Sequence, residues 1–333
     1  MQAIAFYEHG GVDKLVPATV PDPVPGPDEV LVRVEAVALN HLDIWVREGL
    51  PGLKLPLPHV LGSDVAGEVV GTGEKVIVNP GRSCMRCREC LSGWDNLCRH
   101  YQLVGEHVWG GYGELLAVPR SNLVARPAGL SATDAAALPV TFLTAWQMLV
   151  LRARVQPGET VVIIAGGSGV GAAGIQIAKL FGARVIATVT SAAKIDRCKE
   201  LGADEVVDTT TTKLSAAVKE LTGKRGAEVI FEHVGKAIWA EAILACAKGG
   251  RLVTCGATTG FDAVTDLRHV FYRQIQILGS TMGPKGALLD VVAHVAAGRL
   301  RPVVDVVMPR AEARAAHERL AARGQFGKIV LVP

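Results

Sequence analysis

The stretch that decides the fold reads Val161-Val-Ile-Ile-Ala-Gly-Gly-Ser-Gly-Val-Gly171. An apolar run, a glycine-rich turn and an amphipathic segment follow one another here, which is typical of a buried parallel strand, a tight loop and a helix. Glycines let backbone N–H groups approach a phosphate closely, and the start of the next helix attracts an anion. The stretch therefore predicts a nucleotide-binding loop, with a purely structural glycine turn as the alternative. The expected contacts are Gly166, Ser168, Gly169, Val170 and Gly171.

Strand and helix patterns alternate on the C-terminal side of this loop. Strand patterns lie at residues 184–188, 205–208, 228–232 and 251–255, and helical patterns lie at 192–201, 214–221 and 237–247. This alternation predicts an α/β protein with a doubly wound parallel sheet of the Rossmann type.

The N-terminal side has a different pattern. Short strand patterns joined by turns predict a β-rich domain up to about residue 130. A helical pattern over 135–151 follows Ser131-Ala-Thr-Asp134, which has the form of a capping box. A chain of 333 residues is long enough for two domains. We expect one domain at residues 1–132 and 277–333, with a cysteine lobe at 81–100, and a dinucleotide-binding domain at 133–276.

The charge of the chain is nearly balanced, with 35 basic and 32 acidic residues and a net charge of +3. Such a balance favours neither nucleic acid nor an anionic membrane surface as a partner. No apolar run approaches the roughly 18 residues that a membrane-spanning helix needs. The N-terminal residues lack the features of a secretory signal. We therefore expect a cytoplasmic protein that acts on a small molecule.

Four of the seven cysteines lie close together in the sequence, at Cys84, Cys87, Cys90 and Cys98. Two-residue spacers form tight knuckles, and the seven-residue spacer lets the chain turn back, so four thiolates can surround one tetrahedral ion. Four sulfur ligands leave no open position for a substrate, which predicts one structural Zn²⁺ per subunit. A catalytic zinc or an iron–sulfur cluster at these cysteines is the alternative.

Four motifs together resemble the medium-chain dehydrogenase/reductase superfamily of zinc alcohol dehydrogenases and quinone oxidoreductases. They are the cysteine lobe, Pro58-His-Val-Leu-Gly-Ser-Asp-Val-Ala-Gly67, the glycine loop, and Gly327-Lys-Ile-Val-Leu331. The resemblance extends over the whole chain. It implies a GroES-like catalytic domain beside the Rossmann domain, and a homodimer or homotetramer.

The zinc alcohol dehydrogenases of this superfamily also hold a catalytic zinc, and this sequence departs from their ligands. Asn40 stands where the resemblance places a cysteine ligand, and Ser63 stands where it places a histidine. Because amides and hydroxyls bind zinc poorly, we expect no catalytic zinc. A rearranged zinc site using His41, His59 or His107 is the alternative.

Asn40 matches the quinone oxidoreductase branch, although asparagine also commonly caps helices. Without a metal, hydrogen-bond donors must stabilise the negative charge that forms on the substrate oxygen. Quinones, enones and activated ketones suit such a site because that charge is delocalised. The predicted catalytic residues are Asn40, His41, Asp43, Ser63 and Thr141.

The cofactor is predicted to be NADPH rather than NADH. Enzymes that select NAD place an acid about 20 residues after the glycine loop, where it binds the ribose 2′-hydroxyl. Here Thr190 occupies that position, followed by Ser191 and the positively charged Lys194. The remaining predicted cofactor contacts are Cys255, Gly256, Ser280 and Lys328.

The sequence therefore favours an NADPH-dependent oxidoreductase with a structural zinc only. Two alternatives remain open: a zinc-dependent alcohol dehydrogenase with a rearranged metal site, and an NADPH-binding protein without enzymatic activity.

Overall fold

The computed structural model describes residues 1–333 and contains two compact units. Unit 1 comprises Met1–Leu143 with Gly283–Pro333, and unit 2 comprises Thr144–Met282. Both boundaries lie later in the chain than the sequence-based boundaries at 132 and 276. One reason is that the helix Ala132–Ala136 packs against the strands Glu29–Ala38 and Asp64–Val69 of unit 1.

The strands are, in chain order, β1 (Gln2–Phe6), β2 (Val16–Thr19), β3 (Glu29–Ala38), β4 (His59–Val60), β5 (Asp64–Val69), β6 (Lys75–Val78), β7 (Gly81–Arg82), β8 (Gln102–Leu103), β9 (Leu115–Pro119), β10 (Leu123–Ala125), β11 (Thr160–Ile163), β12 (Arg184–Val189), β13 (Glu205–Asp208), β14 (Ala227–Glu232), β15 (Cys246–Thr254), β16 (Gln276–Gly279), β17 (Val304–Pro309) and β18 (Lys328–Val332).

The α-helices are α1 (His41–Glu48), α2 (Arg88–Leu91), α3 (Ala132–Ala136), α4 (Pro139–Trp146), α5 (Gly169–Leu180), α6 (Ile195–Glu200), α7 (Leu214–Leu221), α8 (Trp239–Ala245), α9 (Leu267–Arg273), α10 (Lys285–Ala296) and α11 (Ala313–Ala321). A π-helical turn, Gln147–Arg152, follows α4. None of these helices has the length and apolar character that crossing a membrane requires.

Unit 1 is the GroES-like domain, and its main sheet has seven strands in the order β10-β6-β5-β3-β18-β17, with β9 also paired to β3. A separate three-stranded sheet has the order β2-β1-β4. Strand β18 pairs antiparallel with β3, where Val330 lies opposite Ala38. This pairing brings the start of β18 next to the start of α1, although the two are far apart in the sequence.

Unit 2 is the Rossmann domain, and its sheet has six parallel strands in the order β13-β12-β11-β14-β15-β16. The fully buried β11 lies inside the sheet, and the glycine loop follows it. The strand order reverses between β11 and β14, which is the place where ligands bind in open α/β sheets. The predicted doubly wound parallel sheet is confirmed.

The helix predicted over residues 135–151 is wrong in detail. The structure divides this segment into α3, α4 and the π-helical turn. Pro139 begins α4 because proline lacks an N–H group and is tolerated in the first turn of a helix. Helix α11 was not predicted, because a histidine and alanines weaken its apolar pattern. Its buried face contains Ala313, Ala316, His317 and Leu320.

Candidate functional site

The four cysteines of unit 1 form a compact group in which all the sulfurs lie within 4.8 Å of one another. The Sγ atoms of Cys84 and Cys90 are 3.9 Å apart, and those of Cys87 and Cys90 are 3.4 Å apart. A tetrahedral zinc with Zn–S bonds of about 2.3 Å places its sulfurs about 3.8 Å apart. The backbone N–H groups of Cys84 and His100 point to the sulfur of Cys98. This set therefore fits one zinc ion.

The lobe that carries these cysteines has almost no apolar core. Its four largest apolar side chains are exposed, and these are Met85, Leu91, Trp94 and Leu97. Its buried residues are Gly81, Cys90, Asp95, Asn96 and Cys98. A metal ion would supply the cross-link that apolar packing does not provide here.

Asp43 is a buried structural carboxylate at the start of α1. It is 1% exposed, and its two oxygens accept the backbone N–H groups of Asn40 at 2.7 Å and Gly62 at 3.0 Å. Burial raises the pKa of Asp43 to about 7. Both oxygens of Asp43, a predicted catalytic residue, join the start of α1 to the turn before β5.

Asp64, which the sequence analysis did not single out, is the centre of a buried network. One carboxylate oxygen accepts from the Lys328 ammonium at 2.8 Å and from the Asn40 amide at 3.0 Å. The other oxygen accepts the backbone N–H of Val140 in the first turn of α4 at 2.6 Å. Asp64 is 0% exposed and Lys328 is 5% exposed, so this is a buried ion pair.

Lys328, which the sequence predicts as a cofactor contact, makes three hydrogen bonds within unit 1. Besides Asp64, its ammonium donates to the Asn40 side-chain oxygen at 2.7 Å and to the backbone oxygen of Leu39 at 2.5 Å. These three contacts account for the three N–H donors of a lysine. The ammonium of Lys328 is therefore held within unit 1 by these partners.

The same network decides how well a catalytic zinc fits. The Asn40 oxygen faces an ammonium group, and the nearby carboxylate of Asp64 is already neutralised by that ammonium. Ser63 is fully buried, and its hydroxyl has no hydrogen-bond partner. This group of side chains does not fit a second zinc ion.

The histidines of the alternative zinc site are also engaged elsewhere. His59 is fully buried and contacts the Gly105 carbonyl at 3.2 Å, and burial lowers its pKa to about 4. His107 accepts the backbone N–H of Leu103 at 3.2 Å. His41 is half-buried at the first position of α1, with its ring 6.3 Å from that of Trp45. Among the side chains that bind metals, only the cysteine group brings three or more together.

Thr141 is buried, and its hydroxyl donates to the carbonyl of Ala137 at 2.9 Å. A hydroxyl has a single hydrogen to donate, and this one goes to the backbone just before α4. Of the predicted catalytic residues, the structure brings Asn40 and Asp43 into direct contact through the start of α1. Thr141 lies next to Val140, which contacts Asp64.

The glycine loop of unit 2 is closely packed and leaves no space for larger side chains. A Cβ atom on Gly171 would lie 2.3 Å from the Ala165 carbonyl oxygen, and one on Gly166 would lie 3.1 Å from the Cys198 sulfur. Ser168 caps α5, because its hydroxyl accepts the N–H of Gly171 at 2.9 Å and donates to Ala165 at 2.8 Å. The hydroxyl is therefore used within the loop, while the N–H groups of Gly169 and Val170 begin the helix.

The end of β12 has no acidic side chain. Thr190 and Ser191 are exposed after the strand, and Lys194 ends a 3₁₀ turn and is half-buried. On the neighbouring strand β13, Asp208 accepts the N–H and the hydroxyl of Thr210 at 2.9 and 2.7 Å. That carboxylate therefore stabilises its own turn.

Three further predicted cofactor residues lie at the carboxyl ends of β15 and β16. Burial raises the pKa of Cys255 to about 12, with Glu232 adding to the effect. A Cβ atom on Gly256 would lie 2.9 Å from the His233 carbonyl oxygen. The hydroxyl of Ser280 is buried without a hydrogen-bond partner.

His233 was not predicted, although it contacts the glycine loop. Its Nε2 atom lies 3.0 Å from the Ile164 carbonyl oxygen and 3.3 Å from the Ser168 hydroxyl. Burial lowers its pKa to about 4, so the ring is neutral at pH 7. The available signal was its position directly after β14, the strand that pairs with β11.

Comparisons with known proteins agree with this architecture. Residues 26–128 match the family model of the alcohol dehydrogenase GroES-like domain, and residues 169–297 match that of zinc-binding dehydrogenases. A crystal structure of an NAD-dependent alcohol dehydrogenase is 48% identical, with a TM-score of 0.97 and 100% of both chains covered. A thermostable alcohol dehydrogenase from Pyrobaculum aerophilum is 34% identical, with a TM-score of 0.91 and coverage of 100% of this chain and 99% of that one.

A quinone oxidoreductase from Pseudomonas aeruginosa is 31% identical over 99% of each chain. With the GroES-like unit, the Rossmann unit and the cysteine lobe, these matches show that the chain belongs to the medium-chain dehydrogenase/reductase superfamily and is an alcohol dehydrogenase-like oxidoreductase.

Proposed function

We propose that this oxidoreductase uses NADPH to reduce quinones, enones or activated ketones, with one structural zinc and without a metal in the reaction. The observation that carries the proposal is the contact of Asn40 with Asp64 and Lys328. Asn40 stands where the resemblance to zinc alcohol dehydrogenases implies a cysteine ligand. The quinone oxidoreductase of Pseudomonas aeruginosa and the crotonyl-CoA reductases of Streptomyces are relatives whose names describe related reductions.

The two charged neighbours of Asn40 fix the orientation of its amide. The ammonium of Lys328 must face the amide oxygen, and the carboxylate of Asp64 must face the NH₂ group. One N–H of the amide then donates to Asp64, and the second N–H is left for a substrate. Because the oxygen accepts from a cation, the amide is polarised and its second N–H is a stronger donor.

This donor suits the reduction of a conjugated carbonyl. The reduced nicotinamide of a bound cofactor would supply the hydride. The chain must then stabilise the negative charge that forms on the substrate oxygen, which is the role of a fixed hydrogen-bond donor. In an enone or a quinone that charge is delocalised, so one amide N–H has less charge to stabilise than in a simple ketone.

Turnover of a panel of quinones, enones, ketones and alcohols by the purified protein tests this proposal. We expect Asn40→Ala to lower kcat by about 100-fold, as does loss of one oxyanion donor in other enzymes. Gln102→Ala is the matched control and is expected to change kcat little, because it removes an exposed amide from the same unit. A larger loss of kcat in the control than in Asn40→Ala would contradict the role of Asn40 as the donor to the substrate oxygen.

The alternative is a zinc-dependent alcohol dehydrogenase with a rearranged metal site. The name of the 48% identical structure favours the alcohol dehydrogenase activity. The zinc content of the purified protein separates the two. One ion per chain supports the proposal, and two ions per chain, with oxidation of simple alcohols, would support the alternative. Binding of NADPH without turnover of any substrate would support a non-enzymatic role.

The preference for NADPH rests on the residues after β12. A 2′-phosphate would be repelled by an acid there, whereas Thr190, Ser191 and Lys194 offer two hydroxyl groups and a positive charge. Several relatives are named as NAD-dependent, so the cofactor needs a direct test.

We expect Lys194→Ala to lower kcat/KM for NADPH by about 10-fold and to leave kcat/KM for NADH nearly unchanged, because only NADPH has the phosphate that a cation attracts. The matched control is Lys199→Ala, which removes an exposed lysine from the same segment. Steady-state kinetics with both cofactors provide the measurement. An equal loss with both cofactors would show that Lys194 does not select the phosphate.

The oligomeric state is part of the same proposal. Strand β16 is an edge strand of the unit 2 sheet, and Ile277 on it is 40% exposed. Phe271 and Tyr272, just before this strand, are 70% and 74% exposed. An open edge beside exposed apolar side chains favours pairing with a second copy of the chain.

A further inference from the structure

Lys285 is the first residue of α10, and it contacts Asp95 of the cysteine lobe, 190 residues earlier in the sequence. Its backbone N–H donates to one oxygen of Asp95 at 2.8 Å, and its ammonium lies 3.3 Å from the other oxygen. The ammonium also donates to the backbone oxygen of Gly81 and lies 3.3 Å from the Ser83 hydroxyl. Both charged side chains are largely buried, with exposures of 14% for Lys285 and 7% for Asp95.

Asp95 supplies the helix cap that α10 lacks locally. Pro284 occupies the position before the helix, and its side chain has no acceptor for the free N–H groups of the first turn. The Asp95 carboxylate accepts the first of these N–H groups and also places a negative charge at the positive end of the helix. The order of the start of α10 thus depends on a residue of the cysteine lobe.

Asp95 in turn depends on the metal site. It begins the 3₁₀ turn Asp95–Leu97, and its backbone oxygen accepts the N–H of Cys98 at 3.1 Å. Four thiolates around one Zn²⁺ have a net charge of −2, and the Lys285 ammonium lies 3.3 Å from the hydroxyl of Ser83, the residue directly before Cys84. A buried ammonium beside such a centre stabilises the charged form of the cysteines.

We propose that the Lys285–Asp95 contact links zinc occupancy of the cysteine lobe to the order of α10, with Lys285 as a positioning residue for the metal site. The inference rests on the structural zinc of the proposed function. Two points go beyond that function. Lys285, far from the cysteines in sequence, helps to retain the zinc, and the zinc in turn helps to order the start of α10.

The first test measures the rate at which zinc leaves the full-length protein for a chromophoric chelator. Neighbours of metal ligands typically change metal affinity by 10- to 100-fold when mutated. We expect Lys285→Met to release zinc at least about 10-fold faster than the wild type, and Lys285→Arg to restore most of the retention. The control is Lys14→Met, which removes an exposed ion pair with Glu8 from the same unit.

The outcomes of this test separate the inference from the proposed function. A wild-type protein purified without zinc would overturn both. A wild type that retains zinc together with a Lys285→Met variant of unchanged release rate would overturn the inference alone. Far-UV circular dichroism of each zinc-loaded variant verifies that the release rates compare folded proteins.

The second test follows hydrogen exchange of the full chain before and after chelation of zinc. We expect the first turn of α10 to exchange about 5- to 10-fold faster without zinc, because its first N–H loses the Asp95 acceptor. The helix α11, in the same unit, serves as the reference and should keep its protection. Unchanged exchange in α10 on removal of zinc would overturn the proposed link.

Discussion

Replacing Lys328 with methionine is expected to lower the free energy of unfolding by about 3–5 kcal/mol, which is the usual cost of removing one partner from a buried ion pair. The variant leaves the Asp64 carboxylate, which is 0% exposed, without its cation. The side-chain oxygen of Asn40 and the carbonyl of Leu39 lose their donor at the same time. Urea unfolding followed by circular dichroism measures the change.

A double variant shows whether this loss comes from the unpaired charge. Asp64→Leu combined with Lys328→Met removes both charges, and replacement of a buried pair by apolar side chains is often neutral or stabilising. We expect the double variant to be more stable than Lys328→Met. If the double variant instead loses as much stability as the two single variants together, the unpaired charge is not the source of the loss in Lys328→Met.

Acid is expected to destabilise unit 1 through His317. This side chain is 1% exposed on α11, and its Nδ1 atom accepts from Arg47 at 3.1 Å. Its Nε2 atom then carries the hydrogen and donates to the Tyr112 hydroxyl at 3.0 Å. Burial and the Arg47 charge lower the pKa of His317 to about 3.

The direction of the pH effect follows from this lowered pKa. In the unfolded chain His317 has a pKa of about 6.5, so the unfolded state binds a proton more readily than the folded state. The contribution of His317 is therefore complete above pH 6.5 and is lost as the pH falls toward 3, up to about 4 kcal/mol. Asp43 acts in the opposite direction, because its pKa is raised to about 7 and its contribution is lost as the pH rises through that value.

A comparison of the wild type with a His317 variant separates the effect of this histidine on stability from that of other titrating groups. Urea unfolding of the wild type between pH 7.5 and pH 4.5 is compared with that of His317→Gln, which keeps polar atoms but does not titrate. We expect the wild type to lose roughly 2–3 kcal/mol more than the variant between pH 6.5 and pH 4.5. Equal losses in both proteins would show that His317 is protonated in the folded state.

The sequence predicted the parts of the molecule that depend on neighbouring residues. Strand β11, the glycine loop and helix α5 follow one another within a short stretch, so the apolar run and the glycines determine them locally. The cysteines are equally local, because Cys84 and Cys98 are separated by only 14 positions. In both cases the residues that form the sequence pattern are also the residues that contact one another in the structure.

The sequence did not predict the contacts that join distant segments. Lys328 and Asp64 are 264 residues apart, and Lys285 and Asp95 are 190 residues apart. Both contacts arise because the segment 283–333 belongs to unit 1, and no residue pattern shows which surface such a segment will meet. The assignment of Lys328 to the cofactor followed from a motif, whereas its burial follows from the pairing of β18 with β3.

The position of β18 in the sheet has a consequence for synthesis of the protein. All six strands of unit 2 precede residue 283, so this unit can fold while the ribosome is still translating the segment that follows. Unit 1 cannot complete its main sheet until Lys328–Val332 has emerged. Until then the C-terminal part of β3 keeps an open edge, because β9 pairs only with its first five residues.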